Sequence, residues 1–591
     1  MGEEGGGRSC GTTRELQKLK QQALEYYREN DVPRRLEELL NSTFYLQPAD
    51  VYGHLANCFS KLAKPPTIYK VVGKNVLDGL GLPTLQVEIF CTIQNFPKSI
   101  CSVVISTHFE VHENALPELV EAEEVERADA VSTAVQWVNE TITEELRGIE
   151  PSNQAGVDQV LRIFFENKVQ EDKERKELEK SLEDSTVPVP SPLTQPPPPP
   201  LPPDKKKGQK QGRRDTFTEK PILPPEPDEH VLCGSMAIGA VSLAVAKTGA
   251  MLDGHPLYLN IALLKHHQEQ PAKLTLPLLM VSLVSCGKAS PGKLNLMKEL
   301  ICIPHPGLTA KQVLSQIFSK QKPIMEEIFM THCQSSDFAR RVRQTRPVKM
   351  GHTGCRALGD QLNWIVGALR DTPSTCLNSH KGKYEVMMGT YKNAAEMVDL
   401  YVDLINKFPS IIALIDPFRK EDSEPWDSIY DALGARCYLI AGTASKSISK
   451  LLEDGNIGVL KYSGLIIKHT NQTTMSDLVE ITNLMDSKKH IAVFGSTEGE
   501  SSDDSLVDLA VGLGVRFIKL GGLSRGERVT KYNRLLTIEE ELVQNGTLGF
   551  TEEHTFFYLN EEAEKAAVAG ELPEPLELIF PTEVLEESTR T

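Results

Sequence analysis

The sequence predicts an α/β protein. An α+β unit precedes a carboxyl-terminal β/α barrel, and a helical module is added at the amino terminus. Short apolar runs alternate with amphipathic segments over residues 266–560, which is typical of parallel β/α architecture. The number of repeats favours a closed barrel, with a doubly wound sheet as the alternative. A chain of 591 residues has room for roughly two to four such units.

Residues 1–66 are predicted to form the helical module. Apolar residues such as Leu36, Leu40 and Phe59 recur at helical spacing on two amphipathic segments, which are separated near "FYLQPAD". Asp50 lies at this break and is a candidate amino-terminal cap for the second helix. On this pattern alone, the module is a small helical appendage.

Residues 67–168 and 229–265 are predicted to form the α+β unit, which corresponds to the capping domain of the family that the sequence resembles below. It contains strands such as "LQVEIFCTI" and a helix, "GAVSLAVAKTGAMLD", that is apolar around most of its circumference and should therefore be buried. Residues 169–228 interrupt this domain with a charged run and "PPPPPLPP". They are predicted to be a disordered, partly polyproline insertion, because their composition cannot form a core. This insertion is a spacer or a ligand for an SH3 or WW domain. Residues 561–591 form an acidic tail.

Composition restricts the classes of partner. The net charge of −17 argues against nucleic acid or an anionic membrane as the main partner. The 11 cysteines include no C-x-x-C pair, which fits a reduced cytosolic compartment and no zinc site. The polar amino terminus does not resemble a signal peptide, and we expect no segment to insert into a membrane.

Several predicted barrel strands end in a polar residue, at the end of the barrel where catalytic groups lie. "GLIIK" ends at Lys468, and "RFIK" ends at Lys519, which is followed by two glycines. A lysine at a strand end above glycines can hold an anionic substrate. It is also a common way to end a strand in water, so the local pattern leaves both interpretations open.

The strand ends resemble those of the enolase family. "FIKLGGLSRGERVTKYNRLLTIEEEL" is similar to the family's last barrel strand and helix, "DPF" at Asp416 to its "EDPF", and "DGLGLPTLQVE" to the start of its capping domain. The resemblance covers roughly residues 68–168 and 229–560. It implies dehydration of 2-phosphoglycerate to phosphoenolpyruvate: a lysine removes the proton beside the carboxylate, and Mg²⁺ stabilises the enolate.

The resemblance assigns roles to four residues. Lys468 falls on the family's catalytic base, although the following "HTNQ" carries one extra residue. Glu299 falls on the glutamate that assists departure of hydroxide, and Lys519 on the second lysine, which faces the substrate. Ser106 begins the segment that replaces the family's mobile "SGAST" loop, and it is predicted to contact substrate.

Most of the family's metal and phosphate positions are changed. The metal-binding glutamate is replaced by Ile415, and the aspartates of the "GDD" strand by Gly442 and Thr443. Asp371 remains as a candidate metal ligand on a loose alignment. The second catalytic glutamate becomes Thr353, and the phosphate-holding "HRS" becomes residues 496–498, "STE". Mg²⁺ is thus implied by the resemblance, but we expect it to be weakly held.

Two functions of different classes follow from these substitutions. The first is a divergent enolase, with low activity or with activity that depends on its dimer partner, either a second copy or an ordinary enolase. The alternative is a catalytically inactive scaffold protein, for example of a cilium or flagellum, in which the two lysines have no task. A barrel of another branch that acts on a different carboxylate is a weaker third possibility.

The amino-terminal module carries a second resemblance. Tyr26 and Tyr27, the "ENDVP" turn and "QPADVYGHLANCF" follow the order found in the dimerisation-and-docking module of kinase regulatory subunits and DPY-30-type proteins. That resemblance implies a four-helix dimer whose apolar groove holds an amphipathic anchoring helix. The predicted location is the cytoplasm, with a cytoskeletal or flagellar structure as the more specific alternative.

Overall fold

The computed structural model describes residues 9–106, 117–186, 229, 231–285, 297–317, 366–371, 377–378, 383–387, 390–455, 461–497, 499–551 and 553–554. Four predicted features lie outside these residues: Thr353, Glu498, the proline-rich part of the insertion and the acidic tail.

The amino-terminal module contains three helices, one more than the sequence predicts: α1 (Ser9–Glu29), α2 (Val32–Leu46) and α3 (Val51–Leu62). The cap on α3 is confirmed, because the Asp50 carboxylate accepts a hydrogen bond from Gly53 N at 2.8 Å. Thr43 is the only buried residue between positions 14 and 62. These helices therefore leave their apolar side chains largely in contact with solvent.

The capping domain combines an antiparallel sheet with packed helices. Its strands follow the order β1-β2-β3, with β1 at Thr67–Leu77, β2 at Pro83–Ile93 and β3 at Phe96–Val104. Its helices are α4 (Pro117–Trp137), which continues through a π-helical turn at Val138–Ile142, α5 (Thr143–Leu146), α6 (Gln154–Thr186), α7 (Met236–Asp253) and α8 (Leu257–Lys265).

Helix α7 is the buried helix that its apolar composition predicts. Of the described helices it alone is long and apolar enough to cross a membrane, so the sequence does hold one stretch of that length. Within the molecule, 78% of this helix is buried. The burial identifies α7 as a core helix, since its apolar circumference already packs against protein on most sides.

Helix α6 corrects the predicted start of the insertion. Residues 169–186, which we assign to a disordered segment on composition, continue this helix to Thr186. Pairs of opposite charge one turn apart support it, with Lys168 Nζ at 2.7 Å from Glu171 and Lys176 Nζ at 2.8 Å from Asp172. Such pairs can stabilise an exposed helix that has no core to pack on, which composition alone does not show.

Removing the inserted segment should leave the stability of the fold nearly unchanged. We expect a chain with residues 172–227 replaced by a flexible linker of about ten residues to melt within roughly 2 °C of the parent chain. The described part of this segment, residues 172–186, is the end of α6 held by surface ion pairs that contribute little, and shortening a connection changes its closure entropy only slightly. Differential scanning calorimetry checks this. A loss of soluble expression, or a much lower melting temperature, would show that the segment packs on the body.

The carboxyl-terminal domain is a closed barrel, which confirms the predicted architecture over the doubly wound alternative. Around the ring its strands are β4 (Leu278–Ser285), β5 (Met297–Ile303), β6 (Val366–Asp371), β10 (Ile411–Ile415), β11 (Tyr438–Ala441), β12 (Gly464–Ile467), β13 (Ile491–Gly495) and β14 (Phe517–Gly521). The helices around it are α9 (Ala394–Lys407), α10 (Ser423–Leu433), α11 (Ile448–Glu453), α12 (Met475–Ser487), α13 (Ser505–Gly512) and α14 (Gly526–Gln544). A small antiparallel sheet contains β7 (Leu377–Asn378), β8 (Lys383–Met387) and β9 (Thr390–Lys392).

One barrel strand departs from the predicted parallel arrangement. Strand β5 runs antiparallel to both β4 and β6, whereas the other neighbours pair in parallel. Only a short connection separates β4 from β5, and an antiparallel return needs no crossover helix. The start of β5 consequently lies at the end of the barrel where its neighbours finish, which brings Glu299 to the barrel mouth.

A buried polar network joins the capping domain to the barrel. Asp158 on α6 accepts hydrogen bonds from Ser242 Oγ on α7 and from Ser476 Oγ on α12, both at 2.6 Å. Burial raises the pKa of this carboxyl group above its ordinary value, and the hydrogen bonds oppose the shift. The network fixes both capping helices against the barrel helix that follows the Lys468 strand.

Candidate functional site

The barrel mouth contains an ion pair between two of the predicted site residues. Lys519 Nζ lies 2.8 Å from Glu299 Oε2, and the two side chains are only 13% and 9% exposed. Ser282 on β4 donates a hydrogen bond from its hydroxyl to the other carboxylate oxygen, Oε1. A carboxylate from β5 and a lysine from β14, far apart in sequence, therefore meet in one largely desolvated place.

Lys468 lies at the same level of the barrel as Lys519. Strands β12, β13 and β14 pair in parallel, with Ile467 opposite Phe494 and Gly495 opposite Lys519. Gly495 thus separates the two lysines, and a Cβ atom built on it would lie 3.9 Å from Lys468 Cγ. Two strand spacings put the lysine Cα atoms roughly 10 Å apart, which leaves room for a small anion between the ammonium groups.

Glycines form the floor beside Lys519. Gly521 has φ of +77°, and a Cβ atom there would lie 2.7 Å from the Arg528 guanidinium carbon. Arg528 is held in place because its Nε donates to Glu500 Oε1 at 2.9 Å. Both the backbone conformation and the close approach of the guanidinium require glycine at this position.

The described contacts of Ser106 and Asp371 are with other parts of the chain. Ser106 Oγ accepts a hydrogen bond from Ser501 N at 3.4 Å, so it touches the loop after β13 where the capping domain meets the barrel. The backbone of Asp371 ends β6 and pairs with Met297, beyond the Arg370–Glu299 pair; its side chain lies outside the described part of the structure. Substrate contact by Ser106 and metal ligation by Asp371 stay predictions.

The described residues at the mouth do not fit a bound Mg²⁺. Ile415, at the position of the family's metal-binding glutamate, is fully buried among apolar side chains of the barrel interior. Thr443 supplies a hydroxyl where the family has an aspartate, and this hydroxyl donates to Asp416 at 3.1 Å. The described ranges contain no group of three His, Cys, Asp or Glu side chains placed to hold a metal. Mg²⁺ needs several converging oxygen ligands, which this donor set does not supply.

Asp416 does not replace the missing ligand. It adopts a positive φ of 52°, and its carboxylate accepts backbone hydrogen bonds from Gly442 at 2.7 Å and from Thr443 and Ala444 at 3.1 Å. A carboxylate with this many donors is already satisfied by the loop after β11. Asp416 therefore fixes the turn after β11, which is a structural role.

His469, directly after Lys468, packs against the capping domain. Its ring is buried, and a Cβ atom on Gly239 of α7 would lie 3.3 Å from His469 Nε2. Burial lowers the pKa of this imidazole to about 4, so the ring is neutral at physiological pH. The residue fixes the position of the strand end that carries Lys468.

Acidification should therefore destabilise the fold through His469. In the unfolded chain the imidazole titrates near its ordinary pKa of 6.5 but in the folded chain only at about 4, so the unfolded state binds more protons between these values. The free energy of unfolding should fall from pH 6.5 to pH 4, by on the order of 3 kcal/mol from this group. Urea titrations across this range should show a shallower pH dependence for His469→Gln than for the parent chain. Equal slopes would contradict the assignment.

Sequence reasoning missed three residues of the site: Ser282, His469 and Arg528. Ser282 is the one polar residue in the apolar run "LPLLMVSLV", which is a signal that could have marked it. The extra residue after Lys468 pointed to an altered loop but not to a buried ring. Nothing in the spacing of Arg528 indicated that its guanidinium covers Gly521.

The chain is thus a capped β/α barrel with one antiparallel strand. Its mouth holds two lysines at one level and a glutamate paired with one of them. Residues 372–555 match the family described as enolase, C-terminal TIM barrel domain. The chain is 74% identical to Enolase 4 of Homo sapiens over all of this chain and 99% of that protein, and 64% identical to Enolase 4 of Mus musculus over the full length of both. It is 24% identical to Cytosolic enolase 3 of Arabidopsis thaliana, over 88% of this chain and 96% of that protein. This chain belongs to the enolase family.

Proposed function

We propose that this chain is a divergent enolase that slowly converts 2-phosphoglycerate to phosphoenolpyruvate. Lys468 takes the proton beside the substrate carboxylate, and Glu299 assists departure of hydroxide. Lys519 opposes the negative charge that develops on the enolate. The observation that carries this proposal is the convergence at one barrel mouth of Lys519, Glu299 and the strand end bearing Lys468.

The electrostatics of the mouth support proton abstraction but a low rate. Lys468 ends its strand level with Lys519, so its amine can reach a substrate held at that lysine, as a general base must. The enolate of a phosphorylated carboxylate carries a large negative charge, and the described mouth opposes it with two lysines, one of which already faces Glu299. Weaker stabilisation of this charge raises the barrier.

The scaffold alternative is favoured by a different observation. Ile415 and Thr443 replace two of the family's carboxylates, and Ile415 is fully built into the apolar interior of the barrel. In a scaffold the Lys519–Glu299 pair would simply close the mouth. Pairing with an ordinary enolase subunit, or with a second copy, is compatible with both functions and would account for activity that depends on the partner.

We further propose that the amino-terminal module anchors the protein by docking an amphipathic helix, in the cytoplasm or on a cytoskeletal or flagellar structure. Large apolar side chains on α2 and α3 are strongly exposed, with Leu40 at 58%, Phe44 at 71% and Tyr52 at 85%. Leu40 and Phe44 are four residues apart and so share one face of α2, and an exposed apolar face of this kind is typical of a protein interaction site. The dimer and its groove are the arrangement that the resemblance implies.

Docking should depend on the apolar face of α2. We expect Leu40→Asp in the full chain to weaken binding of a synthetic helix with apolar residues at i, i+3, i+4 and i+7 by at least about tenfold, because the new carboxylate would be buried on binding. Fluorescence anisotropy measures the affinity. Asn41→Asp on the same helix adds the same charge one residue away and should bind normally. Equal affinity of all three chains would refute docking through this face.

The catalytic proposal is tested by coupled-assay turnover of the purified chain on 2-phosphoglycerate. A slow formation of phosphoenolpyruvate that depends on Lys468 supports the divergent enzyme. Normal folding with no turnover, either alone or mixed with an ordinary enolase, supports the scaffold.

A further inference from the structure

The ion pair at the mouth has a consequence for what this site can bind. Lys519 is the cation that a substrate carboxylate would meet, yet its ammonium group already lies 2.8 Å from the Glu299 carboxylate. Both groups are largely shielded from water, so the attraction between them is stronger than that of a surface pair. An incoming anion must therefore compete with a carboxylate that belongs to the protein.

Ser282 strengthens this internal competitor. Its hydroxyl donates to Glu299 Oε1 while Lys519 faces Oε2, so both oxygens of the carboxylate are held in the orientation that pairs with Lys519. Neutral partners such as a serine hydroxyl fix a charged group without cancelling its charge. The serine thus favours the closed pair over the separated one.

We propose that Glu299 is an internal inhibitor of its own site: the mouth binds a small carboxylate anion, without a metal ion, by exchanging it for the Glu299 carboxylate on Lys519. The inference rests on the proposed function, since it concerns the same residues, but it makes a separate statement about affinity. In the exchange, the contact between Lys519 Nζ and Glu299 Oε2 is lost and one to the ligand's carboxylate is gained. No covalent bond changes.

Other charged groups around Glu299 set the background for this exchange. Lys468 faces the mouth from the end of β12, and Arg528 on α14 covers Gly521 while bonded to Glu500. Arg370 is the backbone partner of Glu299 on β6. The Lys468 and Arg528 cations attract a bound anion, so removing the internal carboxylate should raise the affinity of the mouth for an anion overall.

The proposal predicts that affinity and turnover move in opposite directions. Glu299→Gln keeps the size of the side chain, removes its charge and leaves Lys519 available to the ligand. Binding should tighten on the order of tenfold, the ordinary value of one partly buried charge-assisted contact. The same change removes the group that assists departure of hydroxide, so turnover should fall. If Glu299 had only a structural role, the Glu299→Gln change would lower both the affinity for the anion and the turnover.

Ligand-observed NMR titrations of the full chain test this, with glycerate and 2-phosphoglycerate as probes in a chelating buffer and again with Mg²⁺. We expect Glu299→Gln to bind both probes about tenfold more tightly than the parent chain. The affinity of Ser282→Ala should lie between those of the parent chain and Glu299→Gln. Lys519→Met should bind both probes at least tenfold more weakly than the parent chain. Lys461→Gln, a change at an exposed lysine whose ammonium lies 3.4 Å from Asp431, is the matched control and should bind as the parent chain does. Thermal melts establish that each variant is folded.

Unchanged or weaker binding by folded Glu299→Gln would overturn the proposal, as would binding that requires Mg²⁺ or the absence of binding to any folded chain. Turnover measured on the same samples separates this from the proposed function. Tighter binding by Glu299→Gln without turnover in the parent chain refutes only the catalytic proposal. Turnover in the parent chain with unchanged Glu299→Gln affinity refutes only the exchange.

Discussion

Lys468→Ala should reduce turnover of 2-phosphoglycerate by at least 10²- to 10⁴-fold, the usual cost of removing a principal acid or base. Lys468 ends β12 at the level of Lys519, and Gly495 between them leaves the space in which a substrate carbon could lie. No other described strand end offers an amine at the family's base position. Steady-state kinetics with the coupled assay measure the loss.

Two controls separate chemistry from folding in this experiment. Lys461→Ala removes an exposed lysine outside the mouth and should leave turnover unchanged, and circular dichroism melts should show both variants folded. Activity that survives Lys468→Ala would contradict the mechanism and point to an ordinary enolase copurifying with the chain.

Restoring carboxylates at the barrel mouth should make the stability of the protein depend on Mg²⁺. Ile415 is fully buried in the barrel interior, so Ile415→Glu combined with Thr443→Asp places two carboxylates near one another in a poorly solvated place. Without a cation, we expect the melting temperature to fall, because burial of unpaired charge costs several kcal/mol. Millimolar Mg²⁺ should recover most of this loss and raise turnover together with it.

The parent chain is the reference for this gain. Its melting temperature should not respond to Mg²⁺, because the described mouth lacks the converging oxygens that the ion needs. Ile415→Gln with Thr443→Asn has the same shape without the charge and should stay insensitive to Mg²⁺. A double-carboxylate variant that is folded but shows no Mg²⁺-linked stabilisation would show that these two positions do not converge.

The barrel was predictable because its signal is local. Runs such as "SGLIIKH" and "RFIKLGG" carry the apolar pattern of a buried strand and end in a polar residue, so the places of Lys468 and Lys519 follow from the strands alone. The reversed β5 was not predictable in this way, since strand direction depends on how the chain returns after β4. The contact between Glu299 and Lys519 depends on that direction and so needed the fold.

The charged part of α6 and the environment of His469 show a second limit of sequence reasoning. Composition predicted disorder after residue 168, but ion pairs one turn apart support a helix as far as Thr186. The burial of His469 was not predicted, because it depends on α7, which lies far away in the sequence. A pattern of apolar residues shows neither feature. The end of α6 depends on pairs of opposite charge, and the burial of His469 depends on a helix that is distant in sequence.

The most direct test of proton transfer at this barrel mouth is the rate of phosphoenolpyruvate formation by the purified full chain, measured as Mg²⁺ is titrated and beside Lys468→Ala. We expect a slow rate, well below that of an ordinary enolase, that depends only weakly on Mg²⁺ and falls to background in Lys468→Ala. A rate that is unchanged in the variant, or the complete absence of turnover in a folded parent chain, would contradict the claim that this barrel mouth still transfers a proton.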